Sequence, residues 1–363
     1  MKLQTFLFAL LASSLMLGAC FPASQQAMAQ FTPTPTPFLP LIEDEDHPVV
    51  AIDEVGAEAA AAVVGDFAPP SAASDVEIPA PMGGLPQPNG QVNILLLGSD
   101  QRPNEGGFRT DVILLLTLNS EEESVSLTSF PRDLYVYIPG WRMDRINAAQ
   151  VRGGFELTAQ TLDYNFGVRP DFYVFINFNG FMNLIDALGG ITVNVGRTLT
   201  DQREGPGDFT APAGSVTMDG ETALWYVRSR GTSSDFDRTR RQQEVLLALF
   251  SRLLSLNALT KAPQLYDQFK QTIETNMGIA EILPFVPLAA TVNGNGQIHR
   301  YAIGPSDVES YRTQFGAAVL LPKRDVVREI MLQALSSPET QVIAVAEQDL
   351  KHGALKTNIS KHL

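Results

Sequence analysis

Val92-Asn-Ile-Leu-Leu-Leu-Gly-Ser-Asp100 and, after a loop containing Gly, Pro and Asn, Asp111-Val-Ile-Leu-Leu-Leu-Thr-Leu118 decide the fold class. Each is a short continuous apolar run, too brief for a helix and without the alternation of a half-exposed strand, so each reads as a strand buried on both faces. Further strands are expected at Ser124–Phe130, Leu134–Ile138, Asp171–Phe178, Ile191–Val195 and Gln297–Ile303. The first four strands in chain order, Val92–Leu97, Asp111–Leu118, Ser124–Phe130 and Leu134–Ile138, are expected to form the core of one sheet. Helical patterns alternate with strands at Phe155–Phe166, closed by Gly167, at Gly180–Leu188, closed by Gly189-Gly190, and from Asp219 through Trp225. A long helix is predicted from about Phe236 to Leu256, with others at Ala262–Ile273, Ala280–Thr291 and Lys323–Leu335. Thr200–Gly214 reads as irregular. The alternation predicts a single α/β domain over 92–335, followed by a variable tail at 336–363.

The chain before Val92 is of a different kind. Phe21–Val92 carries ten acids and no Lys or Arg, a Thr-Pro repeat at Thr32–Pro37 and an Ala run at Ala57–Ala62. Such a composition buries too little apolar surface to offset its ordering entropy, so 21–91 is expected to be an extended tether. Most of the net charge of −14 therefore belongs to the tether, and the domain is only mildly acidic. Its basic residues sit among carboxylates, not in a lysine-rich stripe, which argues against a nucleic-acid partner. Ahead of the tether, Lys2 and the apolar run Phe6–Leu17 have the length of a secretory leader and fall short of the roughly 20 residues that span a bilayer. That run ends Leu17-Gly-Ala-Cys20, similar to a bacterial lipobox, so 1–20 is expected to be a lipoprotein-type signal peptide with Cys20 lipidated. Cys20 is the only cysteine, which rules out an intramolecular disulfide.

The candidate chemistry lies in arginine–carboxylate blocks: Gly98-Ser-Asp100, Arg109-Thr-Asp111, Phe130-Pro-Arg-Asp133, Tyr226-Val-Arg-Ser-Arg230 and Asp235-Phe-Asp-Arg-Thr-Arg-Arg-Gln242. Five arginines and no lysine fall between Val227 and Gln242. Guanidinium forks suit a pyrophosphate, and interleaved carboxylates suit a divalent ion that bridges phosphates. Asp100 ends one expected strand and Asp111 starts the next, so neighbouring strands would bring both to one sheet edge, where they could hold Mg2+. The ordinary alternative for each is a turn cap or a strand-start residue. Arg109, Arg132, Arg228, Arg230 and Arg238 are the candidate phosphate clamps. Helical phase places Arg238, Arg241 and Gln242 in line with Val245, Leu249 and Leu253, facing inward. Asp133, Asp235 and Asp237 could pair with the arginines, cap the long helix, or take a proton from an incoming hydroxyl. Phe155, Phe166, Phe172, Phe175, Phe178 and Phe181 are expected to be core residues, with an apolar groove as the alternative.

Taken together, Asn93–Asp100, Arg109–Asp111, Ser129–Asp133, Arg145-Ile-Asn-Ala148, Leu184–Ile191, Tyr226–Arg230 and Asp235 through Arg238 to Gln243 resemble the LytR-CpsA-Psr family of cell-envelope proteins. The resemblance implies an α/β/α sandwich with a central mixed sheet flanked by helices. It also implies transfer of a glycopolymer from a polyprenyl-pyrophosphate carrier to a peptidoglycan or other wall hydroxyl, forming a phosphodiester with Mg2+ assistance. By motif, Asp100 and Asp111 match the metal-associated carboxylates, and Arg109, Arg132, Arg228, Arg230, Arg238 and Gln242 the pyrophosphate contacts. Arg132, Arg228, Arg230 and Asp235 are the expected catalytic residues. Departures are the lipobox in place of the usual transmembrane helix, Arg145 in place of a lysine, and Ala149-Gln150-Val151 in place of the usual Tyr or His. The implied location is the outer face of the cytoplasmic membrane. Two other functions suit the same residues: a polyprenyl-pyrophosphate (pyro)phosphatase, or a non-catalytic polyprenyl-phosphate-binding regulator.

Overall fold

A computed structural model describes residues 67–100, 110–203, 208–230, 235–255, 273–288, 291 and 297–335. The expected signal peptide with Cys20, the tail at 336–363 and Arg109 lie outside the described residues, as does the helix expected at Ala262–Ile273 apart from Ile273, which opens a strand.

The two apolar runs are adjacent strands. β1 (Gln91–Ser99) pairs antiparallel with β2 (Thr110–Asn119), and β2 with β3 (Ser124–Ser129). β6 (Phe172–Asn177) lies parallel to β1, β12 (Gln297–Ala302) lies parallel to β3, and β11 (Ile273–Thr275) closes the far side, giving the order β11-β6-β1-β2-β3-β12. The sheet is mixed and covered on both faces, which is why the strands read as continuous apolar runs instead of alternating ones. On one face Leu95, Leu97, Ile113, Leu115 and Phe175 pack with Leu162 and Phe166 of α1 (Ala148–Phe166) and with Val327, Met331 and Leu335 of α6 (Arg324–Leu335). On the other, Ile94, Leu118, Val125 and Phe172 pack with Met277, Ile282, Phe285 and Leu288, around the short α5 (Ile279–Ile282). This is the expected helix–sheet–helix sandwich.

A second apolar cluster joins α2 (Phe178–Ala187), α3 (Gly220–Arg228) and α4 (Asp235–Ser255) to the antiparallel pair of β7 (Ile191–Val195) and β10 (Gly214–Met218). Its members include Ile185, Val193, Ala223 and Val245. α3 is capped by Asp219, whose carboxylate accepts from Thr222 N–H at 2.8 Å. The Thr222 hydroxyl, and then this N–H, hold the Asp219 carboxyl below its usual range.

Three expectations need correction. The strand read at Leu134–Ile138 is the short β4 (Tyr135–Tyr137), which pairs with β5 (Met143–Arg145) in a separate hairpin turned by Gly140 at φ 77° and lies outside the main sheet. Thr200–Gly214 is not wholly irregular: β8 (Leu199–Gln202) pairs with β9 (Asp208–Ala211), strands too short and polar to show a pattern. The tether does not run to residue 91. Residues 67–90 lie against the domain, with Leu85 buried in the main core and Phe67, Val76 and Ile78 packed against the cluster of Tyr135, Tyr137, Met143, Tyr164 and Val319. Their grip is mostly to backbone: Tyr137 Oη–H donates to Ala68 O and Tyr164 Oη–H to Pro79 O, both at 2.7 Å, while Leu85 N–H donates to Gly167 O at 2.8 Å. Gly167 sits at φ 69°, and a Cβ there would run into the Gly83 carbonyl, so this close crossing requires glycine.

Candidate active site

The carboxyl ends of β1, β3, β6 and β12 and the start of β2 share one edge of the sheet. Ser99 pairs with Asn177 of β6 on one side and with Thr110 of β2 on the other. Gly98 faces Val112, so the register skips Asp111, which sits in a bulge outside the ladder. Asp100 follows Ser99 directly, so the two aspartates expected to share an edge do share it.

Arg132 reaches this edge from the loop after β3 and donates from Nη1 to Asp111 Oδ1. Its Nε lies 3.4 Å from Asp133, which also pairs with Arg145 Nε at 3.0 Å. Alternating charges therefore run from the β2 bulge to the end of β5. All four side chains are partly exposed, so the chain of charges is open to a ligand and each pair adds little to stability.

Arg228 arrives from the other side. It ends α3, and its guanidinium lies 4.4 Å from the ring centroid of Phe178, the residue after Asn177. Because Asn177 pairs with Ser99, Arg228 stands at the same edge as Asp100. Arg228 and Arg230 are exposed and Ser229 between them is buried.

α4 supplies the third segment. Arg238 and Arg241 are 3% and 1% exposed, so both lie on the inward stripe. Gln242, expected with them, is half-buried, and Gln243 is buried in its place. The reason is a second packing face. Gln243 Nε2 donates to Ser129 Oγ at 2.7 Å and Tyr301 O at 2.8 Å, and Gln243 Oε1 accepts from Arg300 Nε at 3.0 Å, binding α4 to the ends of β3 and β12. Burial pushes the Arg241 guanidinium below its usual pKa. Its Nη2 donates to Ser229 O at 2.5 Å. Tyr226 donates to Glu244 at 2.6 Å, and burial together with this carboxylate raises its hydroxyl pKa. Asp235 opens α4, while Asp237 pairs with Arg197.

The aromatic set does not form one patch. Phe166 packs on Phe130 at 4.9 Å and Phe175 is buried in the main core, Phe172 lies on the other sheet face, and Phe181 belongs to the second cluster. Phe155 stacks on Tyr173 at 4.7 Å. Among the described residues, no group of three or more His, Cys, Asp or Glu could hold a metal, and no helix is long and apolar enough to cross a membrane. Sequence patterns miss Asp201, Glu244 and Arg300 and give Gln243 a place in a motif but no role, since each makes its contact with a distant segment.

Comparison with known proteins places this geometry in context. The model of the LytR_cpsA_psr family matches residues 61–312, more than half of the chain. A teichoic acid transferase from Oceanobacillus iheyensis, the polyisoprenyl-teichoic acid–peptidoglycan enzyme TagU, is 35% identical over 199 residues, 53% of this chain and 60% of its own length. Bacillus subtilis TagT, of the same description, is 31% identical over 229 residues, 61% of this chain and 71% of its own. The chain thus spans less than two thirds of TagU. The crystal structure of B. subtilis TagV matches with a TM-score of 0.59 at 25% identity, over 68% of this chain and 96% of that one.

Proposed function

The chain belongs to the LytR-CpsA-Psr family, and we propose that it transfers a glycopolymer from a polyprenyl-pyrophosphate carrier to a hydroxyl of the cell wall. The observation that carries this reading is the convergence of Asp100, Asp111, Arg132 and Arg228 on one sheet edge. Transferases of carrier-linked teichoic acid among the relatives support it.

In the proposed reaction the acceptor oxygen attacks the glycan-side phosphorus of the pyrophosphate. The bond from that phosphorus to the bridging oxygen breaks, and polyprenyl monophosphate leaves with the electron pair. The hydroxyl proton passes to a carboxylate or to water, and the glycan stays joined to the wall through a phosphodiester. Arg132, Arg228, Arg230 and Arg238, with Arg109 and Gln242, bind the pyrophosphate and oppose the charge that grows on its oxygens. Asp235 is the candidate proton acceptor, at the start of α4.

Asp100 and Asp111 would hold Mg2+. Two carboxylates suit an ion that takes its remaining ligands from water and substrate phosphates, and Asp111 sits in a bulge outside the ladder at the edge that Asp100 shares. When bound, Mg2+ supplies charge neutralisation across the two phosphates. Lipidation of Cys20 would hold the domain at the outer face of the cytoplasmic membrane, where such a donor lies.

Mass spectrometry of an organic extract of protein purified from membranes is expected to show a retained polyprenyl pyrophosphate bearing glycan. Retention of unrelated phospholipid alone would contradict the donor assignment.

A further inference from the structure

Ser229, between Arg228 and Arg230, is fixed on three sides. Its N–H donates to Trp225 O at 2.9 Å as α3 ends, and its carbonyl accepts from buried Arg241. Its hydroxyl donates to Asp201 Oδ2, and the same oxygen accepts from Arg230 N–H at 2.9 Å. Asp201 comes from the β8–β9 hairpin, which also accepts Trp225 Nε1–H at Gln202 O, 3.0 Å away. The hairpin thus grips the end of α3 at the point where the chain turns extended, with Ser229 at φ −53° and ψ 137°.

The geometry points to Asp201 as a positioning residue for the Arg228-Ser229-Arg230 block, acting through Ser229 and the Arg230 backbone. This rests on the reading of Arg228 and Arg230 as pyrophosphate contacts. Both are exposed, and long exposed side chains aim well only from a fixed backbone. One oxygen of Asp201 accepts from both the Ser229 hydroxyl and the Arg230 N–H, so a side chain that keeps an acceptor oxygen at that place keeps the block fixed, and one without it does not. Asp201 touches neither phosphate nor acceptor in this role. It sets where the two forks stand.

Steady-state transfer from a carrier-linked glycan to a wall acceptor tests this with Arg228→Ala, Asp201→Ala, Asp201→Asn and Ser229→Ala, each checked by thermal melting. Asp201→Ala is expected to lower kcat by about 10–100-fold with KM within roughly threefold of the parent, because misplaced clamps weaken the transition state more than substrate binding. Asp201→Asn keeps an acceptor oxygen and is expected to restore turnover to within about fivefold of the parent, and Ser229→Ala to lose roughly fivefold. Parent-like turnover by Asp201→Ala, or no rescue by Asp201→Asn, overturns the assignment. If Asp201→Ala does not fold, parent-like turnover by Ser229→Ala overturns it instead. Full transfer by Arg228→Ala defeats the pyrophosphate reading itself, whereas its loss beside parent-like Asp201→Ala defeats only the role of Asp201.

Discussion

Arg228→Ala is expected to lower glycopolymer transfer by about 10²–10³-fold with almost no change in melting temperature. The two halves of that expectation have separate causes. Arg228 is exposed at the end of α3, and its guanidinium rests on the face of Phe178, a contact worth roughly 0.5–1 kcal/mol at an open site. The fold has little to lose. In the proposed reaction, however, the guanidinium opposes charge that develops on pyrophosphate oxygens, so its removal falls on the transition state. Arg228→Lys should recover only part of the loss, because an ammonium lacks the two parallel donors of the fork. Steady-state kinetics beside a thermal melt check both halves, and parent-like turnover by the alanine variant would remove Arg228 from the site.

Leu85→Ala should lower stability by about 2–3 kcal/mol, the low end for a buried leucine because the neighbouring strap can partly collapse onto the gap. Leu85 is 6% exposed and belongs to the main core, and its backbone N–H is bound to Gly167 O. A residue in a free tether would give a change within about 0.5 kcal/mol. A chain beginning at Val92 should lose more, since it also uncovers Tyr137 and Tyr164, both 0% exposed. Denaturant unfolding of the point variant and of the truncated chain measures this directly. Equal midpoints for Leu85→Ala and the parent would return residues 67–90 to the tether.

What is legible in the sequence follows from how each element is held. β1 and β2 are readable because a doubly covered sheet demands apolar side chains at successive positions, as in Val92–Leu97 and Asp111–Leu118. Ile94, Leu95, Leu97, Ile113, Leu114 and Leu115 are accordingly all buried. The shared edge of Asp100 and Asp111 follows from the same two strands, because a short loop between antiparallel neighbours returns the chain to the edge it left. The strap at 67–90 is not legible. Its Pro- and Ala-rich sequence has no period, and its hold on the domain runs largely through backbone atoms such as Ala68 O and Pro79 O, which no side-chain pattern reports. Gln243 escapes a reading that gives α4 one buried stripe, because Val245 and Ala248 face the second cluster while Gln243 faces β3 and β12. Asp201 falls in a stretch that reads as irregular, and its partners lie 28 and 29 positions away.

The most direct test of the central claim is the fate of the glycan when the purified protein meets a carrier-linked glycan and Mg2+, with and without a wall acceptor. Mass spectrometry of the products is expected to show the glycan joined to the acceptor through a phosphodiester, one polyprenyl monophosphate released for each glycan transferred, and no product after chelation of Mg2+. Glycan phosphate released at the same rate with and without acceptor, and never joined to it, would contradict transfer and mark the protein as a hydrolase of the carrier.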